Sequence, residues 1–175
     1  MDVPLQGVLS RAQIEAMLTD TPPLVDAMPD RQSQIQPNGV DITLEAVSSF
    51  NNAGTIAISN ADRVLPDTVE LPFDDSGAIH LAPGPYHVRF NEIVALPDWL
   101  MAYARPRSSL LRSGVAVHTA VWDAGYAGRG ASLMVVYNPA GFRVYKNARI
   151  AQLVFHSLST ATSSGYAGAY QHEGT

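Results

Sequence analysis

Beyond Thr21-Pro22-Pro23 the chain is written almost entirely in short apolar or alternating runs. They are VDITLEAVSSF (40–50), TIAISN (55–60), AIHLAPG (78–84), YHVRFNEIVAL (86–96), GVAVHTAVW (114–122), ASLMVVYN (131–138), FRVYKN (142–147) and ARIAQLVFHSL (148–158). Gly, Pro, Asn and Asp punctuate them about every 8–15 residues, the rhythm of an all-β sandwich or barrel. A period of two buries one face of a strand, which either a sandwich or a barrel provides. LPDWLMAY (96–103) fits either a strand or a short turn of helix. One element departs from the β rhythm. Ser10-Arg11-Ala12-Gln13 forms a capping box ahead of an apolar stripe of Leu9, Ile14, Met17 and Leu18, which predicts a short helix over residues 10–19.

With 175 residues and no internal repeat or long linker, the expectation is one domain over residues 1–175. Residues 1–20 form its N-terminal helical segment, and the small, polar and aromatic residues 163–175 form a mobile C-terminal tail. No cysteine occurs, which excludes disulfide scaffolds, thiolate zinc sites and cysteine nucleophiles. The five histidines, 80, 87, 118, 156 and 172, never fall at ligand spacing, so a metal-dependent jelly-roll oxygenase or isomerase finds no support. No signal-peptide pattern opens the chain and no apolar run of about 18 residues appears, so a soluble, cytoplasmic protein without a membrane partner is expected.

Charge divides the chain. The net charge is −5, yet residues 1–98 hold 14 Asp/Glu against 4 Lys/Arg, while residues 99–175 hold only Asp123 and Glu173 against seven Lys/Arg. Arginines spaced among small residues suit a polyanion, because guanidinium forks bind phosphate oxygens bidentately. An acidic first half would repel a duplex, and no basic helix or aromatic stacking run is present. A small phosphate ligand is therefore favoured over nucleic acid.

Four stretches carry the chemistry: QPNGVDITL (36–44), PRSSLLRSG (106–114), VWDAGYAG (121–128) and RIAQLVF (149–155). Pro106 fixes one φ angle and removes one donor, so Arg107, Ser108 and Ser109 can present hydroxyls and N–H groups to an anion in a tight loop. Arg112 either reaches the same phosphates or serves as a surface or intersubunit cation. Gly114 lets the chain turn sharply into GVAVHTAVW, expected as an apolar hairpin with His118 lining it. Trp99 and Trp122 are core or interface aromatics.

In order and spacing these stretches resemble the trimeric all-β family of dUTP diphosphatases and dCTP deaminases, over nearly the whole chain. The resemblance is nearest to the archaeal-type dUTPases with a deaminase-like layout. It implies a dUTPase-like β-barrel or distorted jelly roll with a short N-terminal helix, assembled as a homotrimer with intersubunit sites. It further implies the reaction of dUTP and water to dUMP and pyrophosphate, with Mg2+ as cofactor. Asp123, in Asp123-Ala124-Gly125-Tyr126-Ala127-Gly128, matches the aspartate that orients the water attacking the α-phosphate; its alternatives are a turn cap or a contact to the sugar 3′-hydroxyl. Tyr126 would pack on the deoxyribose, or else be a core aromatic. The hairpin after Gly114 would hold the uracil through its main chain. Gln152 matches a glutamine that touches the phosphates or hydrated magnesium, and Asp41 the aspartate of the first motif, with a structural turn or interface bond as its other reading. No direct metal ligand is expected; Asp41 and Gln152 are candidates for water-mediated magnesium contacts, since this ion keeps its waters and prefers phosphate oxygens.

Two departures from the family pattern matter. Counting back from Tyr137-Asn138, Val135 stands where the deaminases carry a glutamate, and valine cannot shuttle protons to a leaving amine. That favours dUTP hydrolysis over dCTP deamination, with a non-catalytic nucleotide-binding regulator as the rival from another class. In the tail, Ala169 replaces a lysine before Tyr170-Gln171, which leaves Gln171 or Tyr170 as substrate contacts and puts closure by charge in doubt. Glu173 is expected too far along the chain to replace the missing glutamate.

Overall fold

The computed structural model describes residues 7–175. Residues 1–6 of the expected N-terminal segment lie outside the described residues. After helix α1 (Arg11–Met17), β1 (Val25–Asp26), helix α2 (Arg31–Gln34) and β2 (Ile35–Gln36) lead into the long β3 (Gly39–Phe50). Next come β4 (Thr68–Glu70), β5 (Ala78–Leu81), β6 (Gly84–Ala95) and β7 (Leu100–Pro106), then helix α3 (Ser108–Arg112). The chain continues through β8 (Val115–His118), β9 (Val121–Trp122), β10 (Ala127–Val136), β11 (Phe142–Tyr145) and β12 (Arg149–Ser157).

The main sheet runs β8-β10-β6-β3-β12-β7-β9, with β1 added to β6 and both β2 and β4 added to β3; β11 and β5 form a separate ribbon. β8 and β9 are the two outer strands of this order, yet only Thr119 and Ala120 separate them in sequence. Two residues let His118 and Val121 part by at most about 11 Å. The sheet must therefore curl until its two edges meet. Thr119 fastens that seam by donating its hydroxyl to the Ala104 carbonyl of β7 at 3.1 Å. Inside the curl lie Leu44, Val88, Phe90, Met134, Ile150, Leu153 and Phe155, each at most 1% exposed. The expected all-β architecture with a short N-terminal helix is what forms.

At the N-terminus the capping box closes as the sequence predicts. The Gln13 side-chain oxygen accepts from the Ser10 backbone N–H at 2.8 Å and from its hydroxyl at 2.9 Å. Ile14 and Leu18 then bury their side chains in the core.

Three expectations need correction. GVAVHTAVW is not a hairpin: β8 pairs with β10, β9 pairs with β7, and the two halves belong to opposite edges of the curled sheet. TIAISN is not a strand. Only an isolated Thr55–Val64 bridge forms there, and Ile56 and Ile58 stand exposed, because no second layer faces them. Arg107-Ser108-Ser109 is not a tight loop but a helix start: Arg107 caps α3, and the serines occupy its first turn. LPDWLMAY resolves into a turn at 97–99 followed by β7.

Among the described residues no helix is long and apolar enough to cross a membrane.

Candidate active site

The four motif stretches gather into two clusters. In the first, β12 lies beside β3 with Gln152 opposite Asp41, and beside β7 with Gln152 opposite Arg105. Gly39 makes this pairing possible: a Cβ there would run into the Leu153 carbonyl and sit 3.0 Å from the Gln152 amide nitrogen. Asp41 is buried, and its Oδ2 meets Arg107 Nε at 3.1 Å and Arg149 Nη1 at 3.4 Å. Burial raises the Asp41 pKa, and the two guanidiniums oppose that shift. Arg149 also donates to the Ser33 carbonyl at 2.6 Å. One carboxylate thus braces two arginines that remain about one-third exposed, while Ser108, Ser109 and Arg112 stand exposed on α3 beside them. Such a cluster can hold a polyphosphate.

Behind it, Glu92 is buried with every contact satisfied. It accepts from Thr43 N–H at 2.8 Å, Thr43 Oγ1 at 2.6 Å and Gln34 Nε2 at 2.7 Å; Gln34 also donates to the Asp41 carbonyl at 2.8 Å. Burial raises the Glu92 pKa, and these hydrogen bonds pull against it.

The second cluster lies at the seam. After Trp122 the chain makes a tight turn, with Tyr126 N–H donating to the Asp123 carbonyl at 3.1 Å and Gly125 at φ +82°. An L-residue at Gly125 would be strained, and its Cβ would meet Gly165 Cα at 2.7 Å. The turn leaves the Asp123 side chain exposed on the lip of a cleft of about 420 Å³. The backbone carbonyl, not the carboxylate, closes the turn. Tyr126 is buried in the cleft wall, 5.6 Å from the Tyr166 ring and edge-on to it, and burial pushes its pKa to about 12. Gly130–Leu133 of β10 form another wall, where Gly130 packs against Trp122, and Phe50, Leu65 and His87 are also part of the lining.

His118 is exposed at the end of β8 and pairs with Leu133, adjacent to this wall. Gly114, at φ +73°, turns the chain from α3 into β8, and its carbonyl accepts from Tyr137 N–H at 2.8 Å. Val135 lies further along β10, opposite Ala116 and Pro85.

The tail folds back onto this region. His172 N–H donates to the Ala127 carbonyl at 2.7 Å and Arg129 N–H to the Glu173 carbonyl at 2.8 Å. The Gln171 amide clasps Ala127 N–H at 3.0 Å and the Gly125 carbonyl at 2.9 Å. Tyr170 and Glu173 consequently line the cleft. Glu173, expected too far away to matter, reaches the same cavity as Asp123. Its anchor at Arg129 is six positions from Val135, or roughly 20 Å of strand, so it does not occupy the deaminase glutamate's place.

Within one chain the two clusters stay apart. β9 pairs with β7 at Trp122 opposite Ala102, and Arg107 lies five residues further along, roughly 17 Å by strand rise. Sequence reasoning missed Arg149, Glu92, His87 and Tyr166, since strand register and tail docking are nonlocal; only the position of Arg149 inside RIAQLVF offered a hint. Among the described residues no three His, Asp or Glu side chains converge as a metal site.

Comparison with known proteins yields one family. The dCTP deaminase-like family model matches residues 8–158. A probable deoxyuridine 5′-triphosphate nucleotidohydrolase of Methanosarcina mazei is 48% identical over 169 residues, covering 97% of this chain and 99% of that protein. Its counterpart in Archaeoglobus fulgidus is 46% identical over 144 residues, covering 82% of this chain and 84% of its own. The crystal structure of 2′-deoxycytidine 5′-triphosphate deaminase from Agrobacterium tumefaciens superposes with a TM-score of 0.64 at 23% identity over 86% of this chain. The chain spans about half that deaminase's length, with 48% covered.

Proposed function

The chain belongs to the dCTP deaminase-like family, and on that premise we propose that it is a dUTP diphosphatase converting dUTP and water to dUMP and pyrophosphate. The observation that carries this reading over deamination is the β10 wall of the cleft: Gly130, Ala131, Ser132 and Leu133 include no carboxylate, and neither does Val135 beyond them. Proton transfer to a leaving amine at the base has no group there to perform it. Relatives named as nucleotidohydrolases support the same choice.

The reaction needs a water held in line with the α-phosphate and charge to offset the leaving pyrophosphate. Asp123 projects from a rigid turn at the cleft mouth, where its carboxylate accepts a hydrogen bond from that water and aligns it; alignment and electrostatics supply most of the acceleration in phosphoryl chemistry. Tyr126 walls the sugar side. Arg107, Ser108, Ser109 and Arg112 bind the phosphates, with Asp41 holding the Arg107 fork in place. The reading includes Mg2+; the half-buried Gln152 would meet its water shell, whereas Asp41, buried against Arg107 and Arg149, would act on the phosphates only through those arginines. When bound, the ion offsets charge on the β- and γ-phosphates.

The roughly 17 Å between the clusters supports a homo-oligomer, in keeping with the trimer that the resemblance implies, in which the cleft of one copy meets the arginines of another. A cytoplasmic location belongs to the same proposal.

The test is product analysis. Purified protein with magnesium and dUTP is expected to yield dUMP and pyrophosphate, and dCTP is expected to yield no dUTP. Conversion of dCTP to dUTP would make the protein a deaminase, and tight nucleotide binding without any product would make it a regulator.

A further inference from the structure

Ser132 is the one polar side chain on the β10 wall of the cleft, and it is buried, 9% exposed. Its Oγ is shut off from water and has no hydrogen-bond partner among the described residues. The other residues of its wall are Gly130, Ala131 and Leu133, none of which offers a side-chain acceptor. A buried hydroxyl left unpaired is unfavourable, and most such groups in folded proteins find a partner. Cross-strand from Ser132 is Val88, at the buried centre of the sheet, whereas Asp123 stands exposed at the lip. A nucleotide entering with its phosphates toward the arginines and solvent would send its least charged part, the base, to this apolar floor.

We propose that the Ser132 hydroxyl is a specificity-determining contact to the pyrimidine ring of the bound deoxynucleotide, a role that rests on the dUTP diphosphatase reading of the cleft. A change of χ1 between staggered wells is the motion by which Oγ would turn to a bound ring. A hydroxyl both donates and accepts, so it satisfies a ring carbonyl or a ring N–H. Its partner in the free protein is missing because the substrate supplies it.

The test compares wild type with Ser132→Ala by calorimetric titration with a non-hydrolysable α,β-imido analogue of dUTP and with inorganic pyrophosphate, alongside the Tm of each free protein. Loss of one neutral hydrogen bond weakens analogue binding by about two- to twelvefold. Pyrophosphate binding is expected to stay unchanged, and the free variant to melt at the same temperature or higher, since an unpaired hydroxyl has been removed. Equal analogue affinity in both proteins overturns the assignment, as does weakening accompanied by an equal loss for pyrophosphate or by a lower Tm. Wild-type protein that binds the analogue but does not hydrolyse dUTP removes the hydrolase reading and leaves the Ser132 contact to be decided by the same titrations. Wild-type protein that does not bind the analogue overturns both.

Discussion

The proposed split of the site between copies has a quantitative consequence. On the proposed reaction, Asp123→Asn removes the carboxylate that would order the attacking water, and Arg107→Ala removes a guanidinium fork that would bind the phosphates. Asp123→Asn is expected to abolish turnover while keeping analogue binding within about tenfold, or roughly 1.4 kcal/mol. Arg107→Ala is expected to lose about 1.5–3 kcal/mol of charge-assisted hydrogen bonding, on the order of 10- to 150-fold in kcat/KM. Along β7 the two positions are roughly 17–20 Å apart, which favours drawing them from different copies. If each site draws Asp123 from one copy and Arg107 from another, randomly mixed oligomers of the two variants in equal amounts contain both intact groups in about one quarter of their sites. Co-expression of differently tagged variants, with mixed oligomers verified by native mass spectrometry, should therefore recover about one quarter of wild-type kcat/KM. Activity no higher than the mean of the two parents, in verified mixed oligomers, would refute the shared site.

Two further predictions concern the scaffold. The Glu92 pKa is raised above its ordinary value of 4.5 by burial, so the folded state holds the proton more tightly than the unfolded chain, and stability falls as pH rises from about 4.5 through the folded value. In Glu92→Gln that slope should shrink to the part contributed by Asp41, and urea denaturation at acid pH should show a loss of about 1–3 kcal/mol, because an amide nitrogen cannot accept from Thr43 N–H; an unchanged slope would remove Glu92 from the titration. Gly130→Ala places a Cβ 2.9 Å from the Trp122 ring and should cost about 1–3 kcal/mol in the same assay, whereas wild-type stability would mean that Trp122 yields freely.

The long strands were legible because period-two burial is local: β3, β6, β10 and β12 fall where their apolar runs predict. GVAVHTAVW misled because apolar alternation with a polar centre, His118-Thr119, matches a hairpin and a seam equally well. The decision came from β10 and β7, far away in sequence. Ile56 and Ile58 have strand spacing without a facing layer, and spacing alone does not report whether a layer exists. At the site, Asp123, Arg107 and Tyr126 were visible as motif residues. The bracing of Arg107 and Arg149 by Asp41 was not, since it depends on the register that sets Gln152 opposite Asp41. Glu173 was discounted on chain distance, yet Gln171 and His172 bond the start of β10 and carry it to the cleft.

The central claim is that the protein directs water to the α-phosphorus of dUTP. Turnover in ¹⁸O-labelled water with magnesium, followed by mass spectrometry of both products, tests it in one step. The account predicts one labelled oxygen in dUMP and none in pyrophosphate; label in pyrophosphate, or a reaction that converts dCTP to dUTP instead, would contradict it.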